Sequence, residues 1–324
     1  MNKVVLGTMN ICYPHSSNKD EGNEEYFNIL NYYCNEVGKN NAILDTAYYY
    51  GNTKTEAVIG ELLPRLPFVP KIATKVNPWF ENDFSNGALG QLARTPLLNQ
   101  FNTSLKNLNI DSVETLFLHC PDYSTPIEET LETIINLWRH EKINSWGISN
   151  YSVEQLDIIL KLCENNQYEP PSVYQGMYNV ICRKVECITS ILEDNKMEFW
   201  GYNPLAGGLL TGKYHNKNEK SQSNRFTNNL IYQNIFWKPP IIDNINIHYP
   251  TNKKQALNQA FSWLLNESLI QKNNNKLILG ASTEEQLKEN LETINSSVKM
   301  NDKELNNLDN IYSKIISDTP NYYY

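Results

Sequence analysis

The chain has 324 residues, 40% of them apolar and 20% charged, with a formal net charge of −8. That balance is ordinary for a globular protein with a large core, and the length allows either two domains or one (β/α)8 barrel, which often runs to ~250 residues or more. An acidic chain lacks the basic stripe that nucleic acid requires, although a local basic pocket for a phosphorylated cofactor stays open.

The first residues, Met1-Asn-Lys-Val-Val-Leu-Gly-Thr, enter a strand pattern almost at once and leave no room for a signal peptide's apolar run. No later stretch approaches about eighteen uninterrupted apolar residues, so a cytoplasmic protein without a membrane partner is expected. From there one unit repeats: a short β-branched run, a polar loop and an amphipathic helix. Strands are expected at 4–8, 42–47, 71–76, 115–120, 145–150, 172–177, 198–203 and 276–282. Helical patterns fall at about 24–38, 55–63, 88–107, 126–142, 153–165, 184–195, 253–270 and 284–295, with a last helix at about 301–316. Pro126 with the glutamates that follow it suits a helix start, and Ser152 precedes an apolar-periodic run as an N-cap.

Strict alternation implies a parallel sheet with helical crossovers. An open Rossmann sheet should carry a G-x-G-x-x-G turn after its first strand, whereas here that strand leads into Asn, Ser and Glu residues. The expectation is therefore a single α/β unit over 1–324, a (β/α)8 TIM barrel with an extra C-terminal helix. Residues 214–250 break the rhythm, polar at first and then aromatic (Tyr232, Phe236, Trp237) with Pro239-Pro240. They read as a long loop after the seventh strand that covers the barrel mouth. The six cysteines, Cys12, Cys34, Cys120, Cys163, Cys182 and Cys187, form no C-x-x-C pair, and with five scattered histidines they offer no metal site. Reduced, mostly buried thiols are expected.

Active sites of such barrels lie at the C-terminal ends of the strands. There the sequence places Asp45 and Tyr50 (second unit), Lys75 (third), His119 (fourth), Ser149 and Asn150 (fifth), Gln175 (sixth) and Tyr202-Asn203 (seventh). Each alone has a plain structural reading: Asp45 as the partner of a buried lysine, His119 as a hydrogen-bonded core residue, Tyr50 as packing. Together they solve a chemical problem. A tyrosine with a pKa of about 10 is a poor acid near neutrality. An adjacent ammonium favours the phenolate, and an aspartate keeps that ammonium charged and oriented. Lys75 and Asp45 can thus tune Tyr50 to protonate a developing alkoxide while His119 aims the carbonyl.

The run Asn203-Pro204-Leu205-Ala206-Gly207-Gly208-Leu209-Leu-Thr-Gly-Lys213-Tyr214 nearly matches a P-loop, but Tyr214 stands where Ser or Thr should hold magnesium. A pyrophosphate clamp fits this position after strand seven better, with a plain glycine turn as the alternative. After the eighth strand, Ser282 and Thr283 can cap a helix whose N-terminus is a natural anion site. Arg225 is either a phosphate fork or a solvated surface residue.

Asp45, Tyr50, Lys75 and His119 resemble the catalytic tetrad of the aldo-keto reductases. Val-Val-Leu-Gly-Thr-Met (4–9), Lys-Ile-Ala-Thr-Lys-Val-Asn-Pro-Trp (71–79), Val-Tyr-Gln-Gly-Met-Tyr-Asn (173–179) and the run from Tyr202 to Tyr214 resemble the aflatoxin-aldehyde reductase branch. The resemblance implies a cytosolic, commonly dimeric NADPH-dependent enzyme that reduces aldehydes and reactive dicarbonyls. Ser149, Asn150 and Gln175 would hold the nicotinamide carboxamide, Tyr202 would stack on the ring, and Asn203 to Lys213 would wrap the pyrophosphate. Arg225 with Ser282, Gln286 and Asn290 would hold the adenosine 2′-phosphate. The branch's mammalian members carry an arginine after Pro-Asn-Tyr-Phe that contacts acidic substrates, where this chain reads Tyr322-Tyr323-Tyr324. Met9, Tyr49, Trp79, His119 and Trp237 are the expected substrate walls. Two other functions compete: a nucleotide-binding regulatory subunit akin to potassium-channel β subunits, and a barrel lyase or aldolase using Lys75 as a Schiff base.

Overall fold

The structure is a computed structural model describing residues 2–11, 19–83, 87, 89–214, 226 and 229–324. Eight parallel strands close into a barrel in sequence order, β1 Val4–Gly7, β2 Ile43–Asp45, β3 Lys71–Val76, β4 Val113–Leu118, β5 Ile143–Ser149, β6 Val173–Met177, β7 Glu198–Tyr202 and β8 Lys276–Gly280. Closure is made by β1 against β8, with Val4 opposite Leu277 and Gly7 opposite Gly280. Around the barrel run α1 Lys19–Val37, α2 Thr55–Leu62, α3 Arg94–Leu108, α4 Ile127–Arg139, α5 Val153–Asn166 and α6 Thr189–Asp194. They are followed by α7 Leu230–Phe236, α8 Pro239–His248, α9 Lys253–Asn266, α10 Glu284–Asn295 and α11 Asp302–Ile315. The (β/α)8 barrel and its extra C-terminal helix, α11, stand as expected.

Side chains alternate across a strand, and that period of two builds the mouth of the barrel. The barrel interior is filled by Val5, Ile43, Ala73, Phe117, Val173, Trp200 and Ile278, with Phe117 and Trp200 in ring contact at 5.6 Å. Gly147 belongs to the same face, where an added Cβ would come within 2.6 Å of the Phe117 ring and the Val173 carbonyl. Two residues further along the same strands stand Asp45 above Ile43, Lys75 above Ala73, His119 above Phe117, Ser149 above Gly147, Gln175 above Val173 and Tyr202 above Trp200. An apolar plug thus underlies a polar rim.

Helix boundaries follow local chemistry where that chemistry is present. Ser152 caps α5 with a capping box, its side chain accepting from Gln155 N while Gln155 Oε1 accepts from Ser152 N. The expected helix from 88 begins only at Arg94, because the Asp122 carboxylate accepts from Gly90 N (3.0 Å) and Leu92 N (2.9 Å) and holds that stretch open. The pattern at 184–195 divides into a 3-10 turn, Lys184–Ile188, and α6. The long segment after β7 is not a structureless loop, since it contains α7 and α8. Asn229 caps α7, and Pro239 opens α8 at the first helical position, where its missing N–H and fixed φ cost nothing.

The fold also ties its last residues to the mouth. Lys184 Nζ donates to Thr319 O (2.7 Å), Lys238 Nζ to Asp318 O (2.8 Å) and Val153 N to Tyr322 Oη (3.2 Å). Tyr324 N then donates to Asn150 O, and Tyr123 Oη donates to Tyr324 O at 2.6 Å. Cys34, Cys120, Cys163 and Cys182 are buried free thiols and Cys187 is exposed, while Cys12 lies outside the described residues. Among the described residues no helix is long and apolar enough to cross a membrane.

Candidate active site

Lys75 is the deepest member of the site and is fully buried. Its Nζ reaches three acceptors: Asp45 Oδ2 at 2.7 Å, Thr46 O at 2.8 Å and Tyr50 Oη at 3.4 Å. Three acceptors match the three N–H bonds of an ammonium. Burial pulls the Lys75 pKa below the ordinary lysine range, and Asp45 pushes it back up. Asp45 is itself held from the far side of the barrel, where Gln175 Nε2 donates to its Oδ1 at 2.8 Å. The same geometry leaves the Schiff-base alternative without support, since an ammonium with every N–H accepted and no exposed surface cannot attack a carbonyl.

Tyr50 sits just past β2 on a left-handed stretch, Gly51, Asn52 and Thr53, with φ of 58°, 54° and 69°. Positive φ is unfavourable for a β-branched residue such as Thr53, so this turn persists only because its surroundings hold it. Both ends are tied: Tyr50 N donates to Ala47 O, and Thr55 N, the first residue of α2, donates to Tyr50 O.

His119 closes the group. Its ring centroid is 5.9 Å from Tyr50, 5.1 Å from Trp79 and 6.4 Å from Tyr49, and Tyr49 and Trp79 lie edge-on at 4.8 Å. Although the residue as a whole is half-buried, Nδ1 is sealed and has no hydrogen-bond partner among the described residues. Burial and, second, the Lys75 charge lower the His119 pKa well below the usual histidine range. A buried bare acceptor is cheaper to leave unpaired than a buried N–H, so the neutral Nε2–H tautomer is favoured. That puts the donor on the nitrogen that is not sealed.

The residues expected around the nicotinamide are brought together, and they bond to one another. Asn150 (φ 65°) donates from Nδ2 to His119 O at 3.0 Å and Ser149 Oγ at 3.1 Å, and accepts from Tyr202 Oη at 2.8 Å. Beyond Tyr202, the run Ala206–Thr211 is a 3-10 turn in which Gly207, Gly208 and the following Gly212 have φ of 67°, 96° and 78°. Asn203 folds the turn by accepting from Gly207 N at 2.8 Å. Its Nδ2 is buried without a partner among the described residues, an orphan donor in the turn where an anion was expected. Pro204, Ala206 and Leu209 are buried beneath the turn, Leu205 is half-buried and Lys213 is exposed. Helix α7 packs over it, so close that a Cβ on Gly207 would lie 2.6 Å from the Tyr232 ring.

At the start of α10 the cap is Thr283, whose Oγ1 accepts from Gln286 N, while Gln286 Oε1 accepts from Ser282 N at 3.1 Å. Asn290 is buried. Arg225 lies outside the described residues. Of the expected substrate walls, Tyr49, Trp79 and His119 form one aromatic group, and Met9 is half-buried just beyond β1. Trp237 instead makes its ring contacts with Tyr214 (5.6 Å) and Phe226 (5.0 Å) in the covering segment. Two features had no local signal in the sequence: the tie from Tyr324 to Asn150, and a buried glutamate, Glu56, behind Lys75. Among the described residues there is no group of three or more His, Cys, Asp or Glu side chains able to hold a metal.

Residues 3–313 match the model of the Aldo/keto reductase family. The chain belongs to that family. It is 35% identical to aflatoxin B1 aldehyde reductase member 2 of Mus musculus, over 86% of this chain and 78% of that one. Against aflatoxin B1 aldehyde reductase member 4 of Homo sapiens it is 36% identical, over 76% and 78%. Among solved structures it superposes on a glycerol dehydrogenase from Gluconobacter oxydans with a TM-score of 0.76 at 22% identity, covering 98% of this chain and 92% of that one. An aldo/keto reductase from Klebsiella pneumoniae in complex with NADP and acetate follows at 0.66 and 18%, with 99% and 93% covered. These last two likenesses establish the fold. Family membership and the aldehyde-reductase relatives make the protein an NAD(P)H-dependent oxidoreductase.

Proposed function

We propose that this aldo/keto reductase reduces aldehydes to alcohols with NADPH, and that Tyr50 is its general acid. The observation that carries this reading is the unbroken chain Gln175–Asp45–Lys75–Tyr50, which ends in an ammonium 3.4 Å from a phenol oxygen at the barrel mouth. The two aflatoxin B1 aldehyde reductases support an aldehyde as the substrate class.

The chain's residues fit the cofactor. The orphan donor of Asn203 and the left-handed glycines at 207, 208 and 212 suit a pyrophosphate held by backbone and amide groups. Ser149, Asn150 and Gln175 offer amide and hydroxyl groups to a carboxamide, and Tyr202 offers a ring face above them. Ser282, Gln286 and Asn290, on or beside the first turns of α10, are assigned to the 2′-phosphate. When bound, NADPH supplies the hydride that the carbonyl carbon receives.

Everything else falls to this chain. Tyr50 passes its proton to the carbonyl oxygen as charge develops there, and Lys75 stabilises the phenolate left behind. Asp45 keeps Lys75 charged and aimed. His119, neutral and donating from Nε2, holds the same oxygen, while Tyr49 and Trp79 exclude water from the carbonyl's flank. Tyr50→Phe keeps the ring and removes the proton. This variant should bind NADPH with nearly unchanged affinity, read by quenching of protein fluorescence. It should oxidise NADPH with 2-nitrobenzaldehyde about 10²–10⁴-fold more slowly, the usual contribution of a general acid. Parent-like turnover in Tyr50→Phe would remove the proposed acid.

A further inference from the structure

Behind the site lies an ionisable group that the chemistry above does not use. Glu56, in the first turn of α2, is 1% exposed. Thr74 Oγ1 donates to its Oε1 at 2.5 Å, while Oε2 has no partner among the described residues. Ser104 of α3 faces the carboxyl, yet its Oγ also ends without a completed hydrogen bond. Burial pushes the Glu56 pKa up to about 6, and Thr74, Ser104 and Lys75 each pull it back down. An interior carboxylate with one oxygen unsatisfied is costly, and packing alone gives no reason to keep it.

Its placement supplies a reason. Thr74 and Lys75 are consecutive on β3 and so point to opposite faces. Lys75 enters the barrel to meet Asp45 and Tyr50, and Thr74 leaves it to meet Glu56. Glu56 follows Thr55, whose N–H is bonded to Tyr50 O across the left-handed turn. A single side chain therefore fastens the Tyr50 loop to the strand that carries Lys75, and sets a second negative charge behind that lysine. The groups facing it are Thr74 and Lys75 from β3 and Ser104 from α3, so Lys75 is the one cation among its named neighbours.

We propose that Glu56 is a positioning residue: its carboxylate, acting through β3, keeps Lys75 charged and registered against Tyr50. The inference rests on the reading of Lys75 and Tyr50 given above. With Asp45, Glu56 brackets the lysine by a carboxylate on each side of the strand. Asp45 contacts the ammonium directly, and Glu56 supports it at longer range.

Two readouts test this in the intact protein. The first is the pH titration of the Lys75 13Cε resonance without cofactor, assigned by its loss in Lys75→Met. Glu56→Gln keeps an acceptor for Thr74 and removes only the charge, so the Lys75 midpoint should fall by about one pH unit, the lower end for an opposite charge in the interior. The alkaline limb of kcat for aldehyde reduction should move down with it. Thr74→Val removes the hydrogen bond but leaves the carboxylate, and should leave that midpoint near the parent value. An unmoved midpoint in Glu56→Gln, or equal shifts in both variants, overturns the inference, because the effect would then be absent or merely one of packing. Because the titration needs no turnover, a shift seen in a protein that reduces no aldehyde would uphold Glu56 and sink the functional reading instead.

Discussion

Two ionisable residues of the site pull stability in opposite directions with pH, and the signs follow from their surroundings. The His119 pKa is depressed in the folded protein, so the unfolded chain binds the extra proton first. Stability from His119 is therefore lost as pH falls below about 6.5, its unfolded value. Glu56 is raised to about 6, so the folded state takes up its proton first, and stability declines as pH rises from the ordinary glutamate value through 6. At neutral pH the ionised carboxylate is a net burden. Glu56→Gln should accordingly melt at higher temperature than the parent at pH 7 and above, with the gap closing as pH falls toward 4.5. A variant less stable than the parent at pH 8 would show that the carboxylate stabilises the fold. His119→Gln should flatten the acid limb of the melting curve between pH 5 and 6.5. The Lys75–Asp45 pair behaves differently, because Asp45→Ala takes away the carboxylate in direct contact with a buried ammonium. A loss of about 3–5 kcal/mol is expected from urea unfolding, and a loss of similar size for Lys75→Met, which leaves the Asp45 carboxylate buried without its cation.

The elements show how far local chemistry reaches. β3 was legible to the residue because Lys71–Val76 is a β-branched run between Pro70 and Asn77-Pro78. The rim was legible because the period of two carries Asp45, Lys75, His119, Gln175 and Tyr202 to one face. Where sequence reading fell short, a distant partner decided. Asp122 keeps α3 from starting at 88, and Pro239-Pro240 reads as a breaker until Lys238 supplies the extended N-cap that turns it into a helix start. Glu56 was invisible for the same reason, its Thr74 partner lying 18 residues away without a signature at either end. The packing of α2 on α3 rests on a similar long-range fit. A Cβ on Gly60 would land on the carbonyl oxygen of Asn107 and the backbone of Leu108. Backbone cannot rotate aside as a side chain can, so Gly60→Ala should cost about 3 kcal/mol, the upper end for overpacking. Because the displaced helix carries Glu56 and anchors the Tyr50 loop, kcat should fall with stability while KM for NADPH changes little. A variant as stable as the parent would mean that α2 can slide.

At the scale of the whole molecule the question is how a chain of net charge −8 would select the proposed NADPH, which carries more negative charge than NADH. Long-range attraction cannot do it, since the overall field repels both dinucleotides. Discrimination must come from contacts within a few ångströms of the one group that differs, the 2′-phosphate. The start of α10, proposed above for that phosphate, carries helix N–H groups, of which Gln286 N is already bonded to Thr283 Oγ1, while Ser282 N just before the helix is bonded to Gln286 Oε1. Its first turn also carries Glu284 and Glu285. A phosphate must displace these neutral bonds and outweigh two nearby carboxylates, so its advantage should be electrostatic and sensitive to screening. NADPH and NADH differ only in that phosphate, and the ratio of their dissociation constants isolates this term. The ratio should favour NADPH by about tenfold at low salt, equivalent to ~1.4 kcal/mol. It should shrink toward one between 0.01 and 1 M salt, as the Debye length falls from about 30 to 3 Å. If the preference held undiminished across that range, shape and hydrogen bonding would be selecting the phosphate, and the electrostatic account would be wrong.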